Sequence, residues 1–443
     1  MSRYKGNIFY LKSETEGEHM STFEVLSQIT SPTKTITEVK KDDLQLDLNE
    51  TIKVLNLMGK SWTNLDTLEK LLKNFQNASS HSILSRMSAN YTHIQAKAPQ
   101  KRVRNEKQGI KENITLAFVS CGSRRFEALV MLKSAVMFSQ DAALHVVMFG
   151  DADTISDVGQ DILALKWTTN ALGWDFTYEL HLEWFPPERI AEWRKMYTPC
   201  ATERLFFPSL LPHIDSLIYL DTDTLLLSNL TEFWQHFKNN MRDEKLAGLA
   251  ANNEPTARGW YNSMAETPYY GSRGLNAGVM LMNLTQMRNF SFEQKSLAAH
   301  SLYREKLKLA DQDILNIIFH AFPEKLYKLD CSYNFNWVHC GDKKIYPCHH
   351  KTTGESFCFC NDTVTNGVQI VHGNSKTFHT NLFPFLTHLY SEFEKFDLLA
   401  DSPKILFENL KAHFKGLEKP CYPLTPDILY RNAEKYLQNL EQT

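Results

Sequence analysis

From Asn113 onward the chain alternates short apolar runs with stretches whose apolar residues recur every three or four positions. Ile114-Thr-Leu-Ala-Phe-Val-Ser120 reads as a buried strand and Cys121-Gly122 as a turn. Phe126, Leu129, Leu132 and Val136 then fall on one helical face, and Leu144-His-Val-Val-Met-Phe149 is a second strand. Two strands joined through a helix pair in parallel by a right-handed crossover, so the pattern predicts an α/β domain on a doubly wound sheet. Further strands are expected at 216–220, 246–251, 279–284, 326–329 and 368–371. A helix is expected from Asp311, with that residue as its cap ahead of Ile314, Leu315, Ile318 and Phe319.

Open α/β sheets bind ligands beyond the carboxyl ends of their strands. Ser120-Cys121-Gly122, Asp221-Thr222-Asp223 and His372-Gly373 all follow an expected strand, so three distant segments can converge on one crevice. In an extended segment the side chains of Asp221 and Asp223 point the same way while Thr222 faces away. Paired carboxylates are hard oxygen ligands for Mg²⁺ or Mn²⁺ and leave coordination positions for phosphates. The same spacing recurs at Asp151/Asp153 and Asp311/Asp313, so spacing alone does not single out 221/223.

With 43% hydrophobic and 12% aromatic residues the chain can bury a large core, and a formal charge of -3 provides no basic field for nucleic acid. No run reaches the roughly 18 apolar residues of a membrane helix, so neither a membrane segment nor a secretory signal is expected in this chain. Glycosylation acceptor patterns stand at Asn49, Asn77, Asn90, Asn113, Asn229, Asn283, Asn289 and Asn361, a density that suits a lumenal glycoprotein. Cys331, Cys340, Cys348, Cys358 and Cys360 crowd one region. A disulfide patch is the expectation there; zinc held by these cysteines with His339, His349 and His350 is the alternative, weakened by the absence of a paired C-x₂-C spacing. Residues 1–112 are expected to be a polar stem or poorly ordered extension, 113–395 the α/β domain, and 396–443 a helical tail with Cys421 between Pro420 and Pro423.

Several segments together resemble the retaining glycosyltransferases of the glycogenin and lipopolysaccharide galactosyltransferase family, most nearly the glucoside xylosyltransferases. They are Pro199-Cys-Ala-Thr-Glu-Arg-Leu-Phe-Phe-Pro208, Asp215-Ser-Leu-Ile-Tyr-Leu-Asp-Thr-Asp-Thr224, Gly259-Trp-Tyr-Asn262 and Pro268-Tyr-Tyr-Gly271. Gly274-Leu-Asn-Ala-Gly-Val-Met-Leu-Met-Asn283, Asp311-Gln-Asp-Ile-Leu-Asn316 and Val371-His-Gly-Asn374 complete the set, and the resemblance covers about residues 113–395.

The resemblance implies a GT-A nucleotide-diphospho-sugar transferase fold, a Rossmann-like mixed sheet flanked by helices. It implies Mn²⁺, or Mg²⁺, on Asp221, Asp223 and His372, with UDP-xylose as donor substrate. Ser120, Cys121 and Gly122 would line the nucleoside, Arg204 would fix the donor, and Thr222, Gly373 and Lys376 would lie along the nucleotide. Asn276, Ala277, Asp311 and Gln312 would meet the donor sugar, Asn276, Asp311 and Gln312 as the catalytic set. Trp260 and Tyr261 are candidates for stacking on an acceptor sugar, against the plainer reading that they are packing aromatics. Many relatives space a histidine, a glycine and a lysine more widely; here His372 and Gly373 are adjacent and Lys376 follows closely, which puts the lysine's role in doubt.

The implied reaction is α-1,3 transfer of xylose to O-linked glucose on epidermal-growth-factor-like repeats, in the endoplasmic reticulum or Golgi lumen, where relatives are type II membrane proteins. No motif supplies an obvious carboxylate nucleophile, which favours front-face attack over a covalent intermediate. Three alternatives stand beside this: another UDP-hexose transferase of the same family, a non-catalytic nucleotide-sugar-binding glycoprotein, and a phosphatase with Asp221 as nucleophile. The phosphatase reading lacks a later Gly-Asp-X-X-X-Asp acidic loop.

Overall fold

The computed structural model describes residues 10–12, 111–196, 200–242, 244–252, 259–339, 360, 362–417 and 424–442. The expected stem lies almost wholly outside the described residues, as do Asn49, Asn77, Asn90, Asn361, Cys340, Cys348, Cys358 and Cys421.

The strands are β1 (Tyr10–Lys12), β2 (Glu112–Val119), β3 (Ala142–Gly150), β4 (Asp175–Leu182), β5 (Ser216–Leu220), β6 (Thr224–Leu226), β7 (Ala247–Ala251), β8 (Leu275–Asn283), β9 (Leu326–Leu329) and β10 (Ile370–His372). Eight of them form one sheet in the order β1-β4-β3-β2-β5-β8-β7-β9, and β6 pairs with β10 in a separate two-stranded ladder. The expected parallel pairing holds for β2 with β3 and β5, for β3 with β4, and for β7 with β9. It fails at β8, which runs antiparallel to both β5 and β7 and makes the sheet mixed. Buried strands of either direction are continuous apolar runs, so Leu275–Asn283 carries no mark of its direction.

Alternation along β2 divides the core between the two faces of the sheet. Ile114, Leu116 and Phe118 join one apolar cluster, Ala117 the other. Helix α1 (Arg125–Met137) lies in the first cluster and is buried around most of its circumference, through Ala128, Val130, Met131, Leu132, Ala135, Val136 and Met137. The expected face is therefore rotated: Phe126 is 65% exposed. Helix α2 (Ala152–Leu172) is capped by Asp151, whose carboxylate accepts from Thr154 N–H, and ends on Gly173 in the left-handed conformation.

Strand β4 has no clear apolar signal because Glu179 and His181 occupy buried positions on it. They satisfy each other, and His145 and His213 also reach the Glu179 carboxylate. Although burial works against its charge, hydrogen bonds from His145 and His181 hold Glu179 well below the usual carboxylate range.

The last three helices, one before residue 396 and two after it, are part of the core. Helices α3 (Pro384–Lys395), α4 (Pro403–Lys415) and α5 (Pro426–Gln442) bury Phe385, Leu406, Phe407, Leu410, Phe414, Leu429, Tyr430 and Tyr436 in the cluster that holds β2 and α1. Tyr436 accepts the Gln140 N–H at 2.8 Å and donates to Asp141 at 3.2 Å, tying the last helix to the loop before β3.

Candidate active site at the end of the fifth strand

Asp221 directly follows β5, and its N–H donates to Gly278 O on β8 at 2.8 Å, so the strand end is pinned before the chain turns. β6 then runs back and pairs with β10, setting Thr224 opposite His372. Gly373 N–H donates to Asp223 O at 2.6 Å. This ladder delivers a histidine remote in sequence to the two acids. One ligand atom each from Asp221, Asp223 and His372 lie within 4.8 Å of one another. His372 Nε2 is 3.4 Å from Asp223 Oδ1 and 3.9 Å from Asp221 Oδ2.

The donor set fits a divalent cation. Asp221 Oδ1 is engaged by Arg204 Nη2 and by the Tyr219 hydroxyl, each at 3.0 Å, which leaves Oδ2 as the oxygen facing the imidazole. Two carboxylate oxygens with one imidazole nitrogen suit a borderline ion such as Mn²⁺ better than Ca²⁺. Burial disfavours charge throughout the cluster. Against it, Asp223 and Asp221 raise His372 above its usual value, and the imidazolium holds Asp223 below its own.

Arg204 organises the adjoining wall. Only 5% exposed, it donates from Nη1 to Ala277 O at 2.6 Å, and its guanidinium lies 4.0 Å from the centre of the Tyr219 ring. Its Nε is 2.9 Å from Asp311 Oδ2, yet that N–H is directed at Ala201 O, so the carboxylate is held by charge and makes no hydrogen bond through Oδ2 among the described residues. Burial pushes the Asp311 carboxyl up to about 6 in spite of Arg204. Asp311 opens the helix Asp311–Ala321 without capping it, which corrects the expected role. Asp313, in the same turn, accepts the N–H groups of Lys308 and Leu309 at 2.7 Å each and so fixes the segment that leads into the helix. Gln312 Oε1 accepts from Ala277 N–H at 3.0 Å, leaving its amide N–H groups as what it can offer a ligand.

The other expected contacts are placed unevenly. Ser120 is buried, and its hydroxyl makes no hydrogen bond among the described residues. Cys121 is disulfide-bonded to Cys200, so it offers the cleft no free thiol; the bond joins the turn after β2 to the segment that carries Arg204. Gly122 has φ of 67°, and its N–H donates to Asp151 Oδ2 at 3.0 Å. Thr222 is buried, and its hydroxyl donates to Glu127 at 3.4 Å. Gly373 is needed for packing: a Cβ there would sit 2.3 Å from the Phe378 ring. Lys376 is exposed, with φ of 61°. Trp260 is half-buried at the start of a one-turn helix.

Tyr261 is the packing aromatic of the two readings. It is 2% exposed, its hydroxyl donates to Asp313 at 3.2 Å and accepts from Asn316 at 2.9 Å, and its ring lies where a Cβ on Gly274 would be. It cannot stack on an acceptor. The zinc alternative also loses two ligands, since Cys331 and Cys360 form a disulfide.

Three residues at the site were not anticipated. Tyr219 holds Asp221 and stacks on Arg204; its position two before Asp221 on the same strand face was the available signal. Arg124, two residues past Gly122, feels Glu127, Asp223 and Asp221, which raise it against the effect of burial. Asn334 contacts His372 and Asn276, and nothing in its local sequence announces that.

Residues 82–352 match the family described as Glycosyl transferase family 8. The chain is 33% identical to glucoside xylosyltransferase 1 of Mus musculus over 75% of this chain and 80% of that protein. It is 32% identical to glucoside xylosyltransferase 2 of Mus musculus over 73% of this chain and 71% of that protein. Among solved structures, mouse xyloside xylosyltransferase 1 in its apo form aligns with a TM-score of 0.42 at 19% identity, covering 60% of this chain and 99% of that one. The chain belongs to glycosyl transferase family 8: it is a glycosyltransferase of the GT-A fold that uses a nucleotide-sugar donor.

Proposed function

We propose that the protein transfers xylose from UDP-xylose, with retention of anomeric configuration, to O-linked glucose on an epidermal-growth-factor-like repeat. The observation that carries the site assignment is the meeting of Asp221, Asp223 and His372 within 4.8 Å beside the Arg204 and Asp311 pair. The donor and acceptor classes are supported by the likeness to the glucoside xylosyltransferases over three quarters of the chain.

In this reading Asp221, Asp223 and His372 hold Mn²⁺, which when bound supplies Lewis-acid charge beside a departing diphosphate. Arg204 fixes the orientation of Asp221 and, with Arg124, adds positive charge to a cleft that must accept a diphosphate. Asp311 and the Gln312 amide face the donor sugar. Retention follows front-face attack, with the leaving phosphate oxygen taking the acceptor proton. Lumenal residence in the endoplasmic reticulum or Golgi fits the Cys121–Cys200 and Cys331–Cys360 disulfides, which persist in an oxidising compartment, and the exposed acceptor positions Asn113 and Asn289. No helix among the described residues is long and apolar enough to cross a membrane.

A donor screen with Mn²⁺ against a synthetic O-glucosylated repeat, read by mass, tests the proposal. A pentose gain from UDP-xylose alone is expected. Transfer from UDP-glucose or UDP-galactose with UDP-xylose ignored would refute the donor assignment.

A further inference from the structure

An imidazole has two nitrogens, and the one that can meet a cation is the one without a proton. At His372 that choice is fixed by a relay of hydrogen bonds that starts from a backbone amide. Gly278 N–H, which can only donate, reaches Asn276 Oδ1 at 3.0 Å. The atom of Asn276 at that position is thereby identified as its oxygen. The same oxygen lies 2.8 Å from Asn334, whose facing atom must then be its amide nitrogen. Asn334 Oδ1 is left to face His372 Nδ1, at 2.9 Å. An amide oxygen only accepts, so Nδ1 carries a proton, and in the neutral ring the lone pair is left on Nε2. Nε2 is the nitrogen turned to Asp223 and Asp221.

Every member of the relay is buried: Asn334 is 2% exposed, His372 4% and Asn276 8%. A Cβ added at Gly278 would fall 2.1 Å from His372 Cε1, so the imidazole rests on bare β8 backbone. The backbone N–H of His372 donates to Phe335 O at 2.7 Å, which ties β10 to the residue after Asn334. Cys331, bonded to Cys360, anchors the short turn Cys331–Asn334 that presents the amide.

We infer that Asn334 is a positioning residue that sets the tautomer of His372, with Asn276 orienting the Asn334 amide, so that Nε2 is presented to the divalent cation. The inference rests on the reading of Asp221, Asp223 and His372 as a metal site. Asn276 thereby acquires a second role, because its Oδ1 is committed to the relay and only its amide nitrogen is left for a donor sugar.

Two measurements on the full chain test it. Mn²⁺ affinity, followed without nucleotide by the electron paramagnetic resonance of the free ion, should weaken about 10–100-fold in Asn334→Leu. Asn334→Leu within about twofold of wild type would overturn the inference. The second measurement needs no variant at Asn334 and no metal. In ring-¹⁵N-histidine protein at alkaline pH, the signal missing from His372→Gln should show its proton on Nδ1, and a proton on Nε2 would overturn the inference. If wild type binds no Mn²⁺, the metal reading fails by itself, while the nitrogen spectrum still decides the tautomer.

Discussion

Asp221/Asp223 and Asp311/Asp313 have the same spacing and do opposite kinds of work. At the end of β5 the expected extended segment is replaced by a turn over Thr222 and Asp223, and that turn brings both carboxylates of the first pair to His372. In the first turn of a helix, residues two apart point in different directions, and the second pair divides. Asp311 turns to Arg204, and Asp313 turns back to the Lys308 and Leu309 amides. A third pair, Asp151/Asp153, also straddles a helix start, and there Asp151 is the cap. A pair of acids defines chemistry only together with the backbone that aims it.

Substitutions separate these roles. Asp223→Asn should remove one metal ligand and lower kcat/KM by on the order of 10³, with the melting temperature little changed; steady-state rates beside a thermal melt check this, and an active variant would break the comparison. Asp313→Ala should cost about 2 kcal/mol of stability by orphaning two amides and the Tyr261 hydroxyl, while Mn²⁺ affinity stays within about twofold of wild type. Denaturant unfolding together with metal titration reads both, and a large loss of metal affinity would show that the second pair belongs to the same centre. Asp151→Ala should have the smallest effect, about 1 kcal/mol, because only the Thr154 and Gly122 amides lose an acceptor.

Much of the catalytic frame was legible because its signals are local. The β2–α1–β3 unit and the strand ahead of Asp221 rest on periodicity and turn chemistry. The direction of β8 was not legible, since a strand buried on both faces reads alike either way. Nor was β4, where Glu179 and His181 stand at core positions and are tolerated because each supplies the other's hydrogen bond. At the site, the metal-ligand set came from family resemblance, and geometry brings its three members together. The two readings of Tyr261 stayed open for a simple reason: an aromatic beside a motif is as readily a wall as a surface, and its contacts with Gly274 and Asn316 mark it as wall. Asn334 was invisible because its role depends on two partners far away in sequence.

The most direct test of the central claim is the pH dependence of Mn²⁺ binding to the wild-type chain and to His372→Ala. The carboxylates raise the imidazole's affinity for a proton, so proton and cation compete for Nε2. Below the folded pKa of His372, wild-type affinity should fall by about tenfold for each unit of acidity, as one proton must leave for each ion bound. His372→Ala should bind Mn²⁺ more weakly at neutral pH and lose that steep component. Equal affinity and the same slope in both proteins would show that the histidine is not a ligand and that the three-residue centre does not exist.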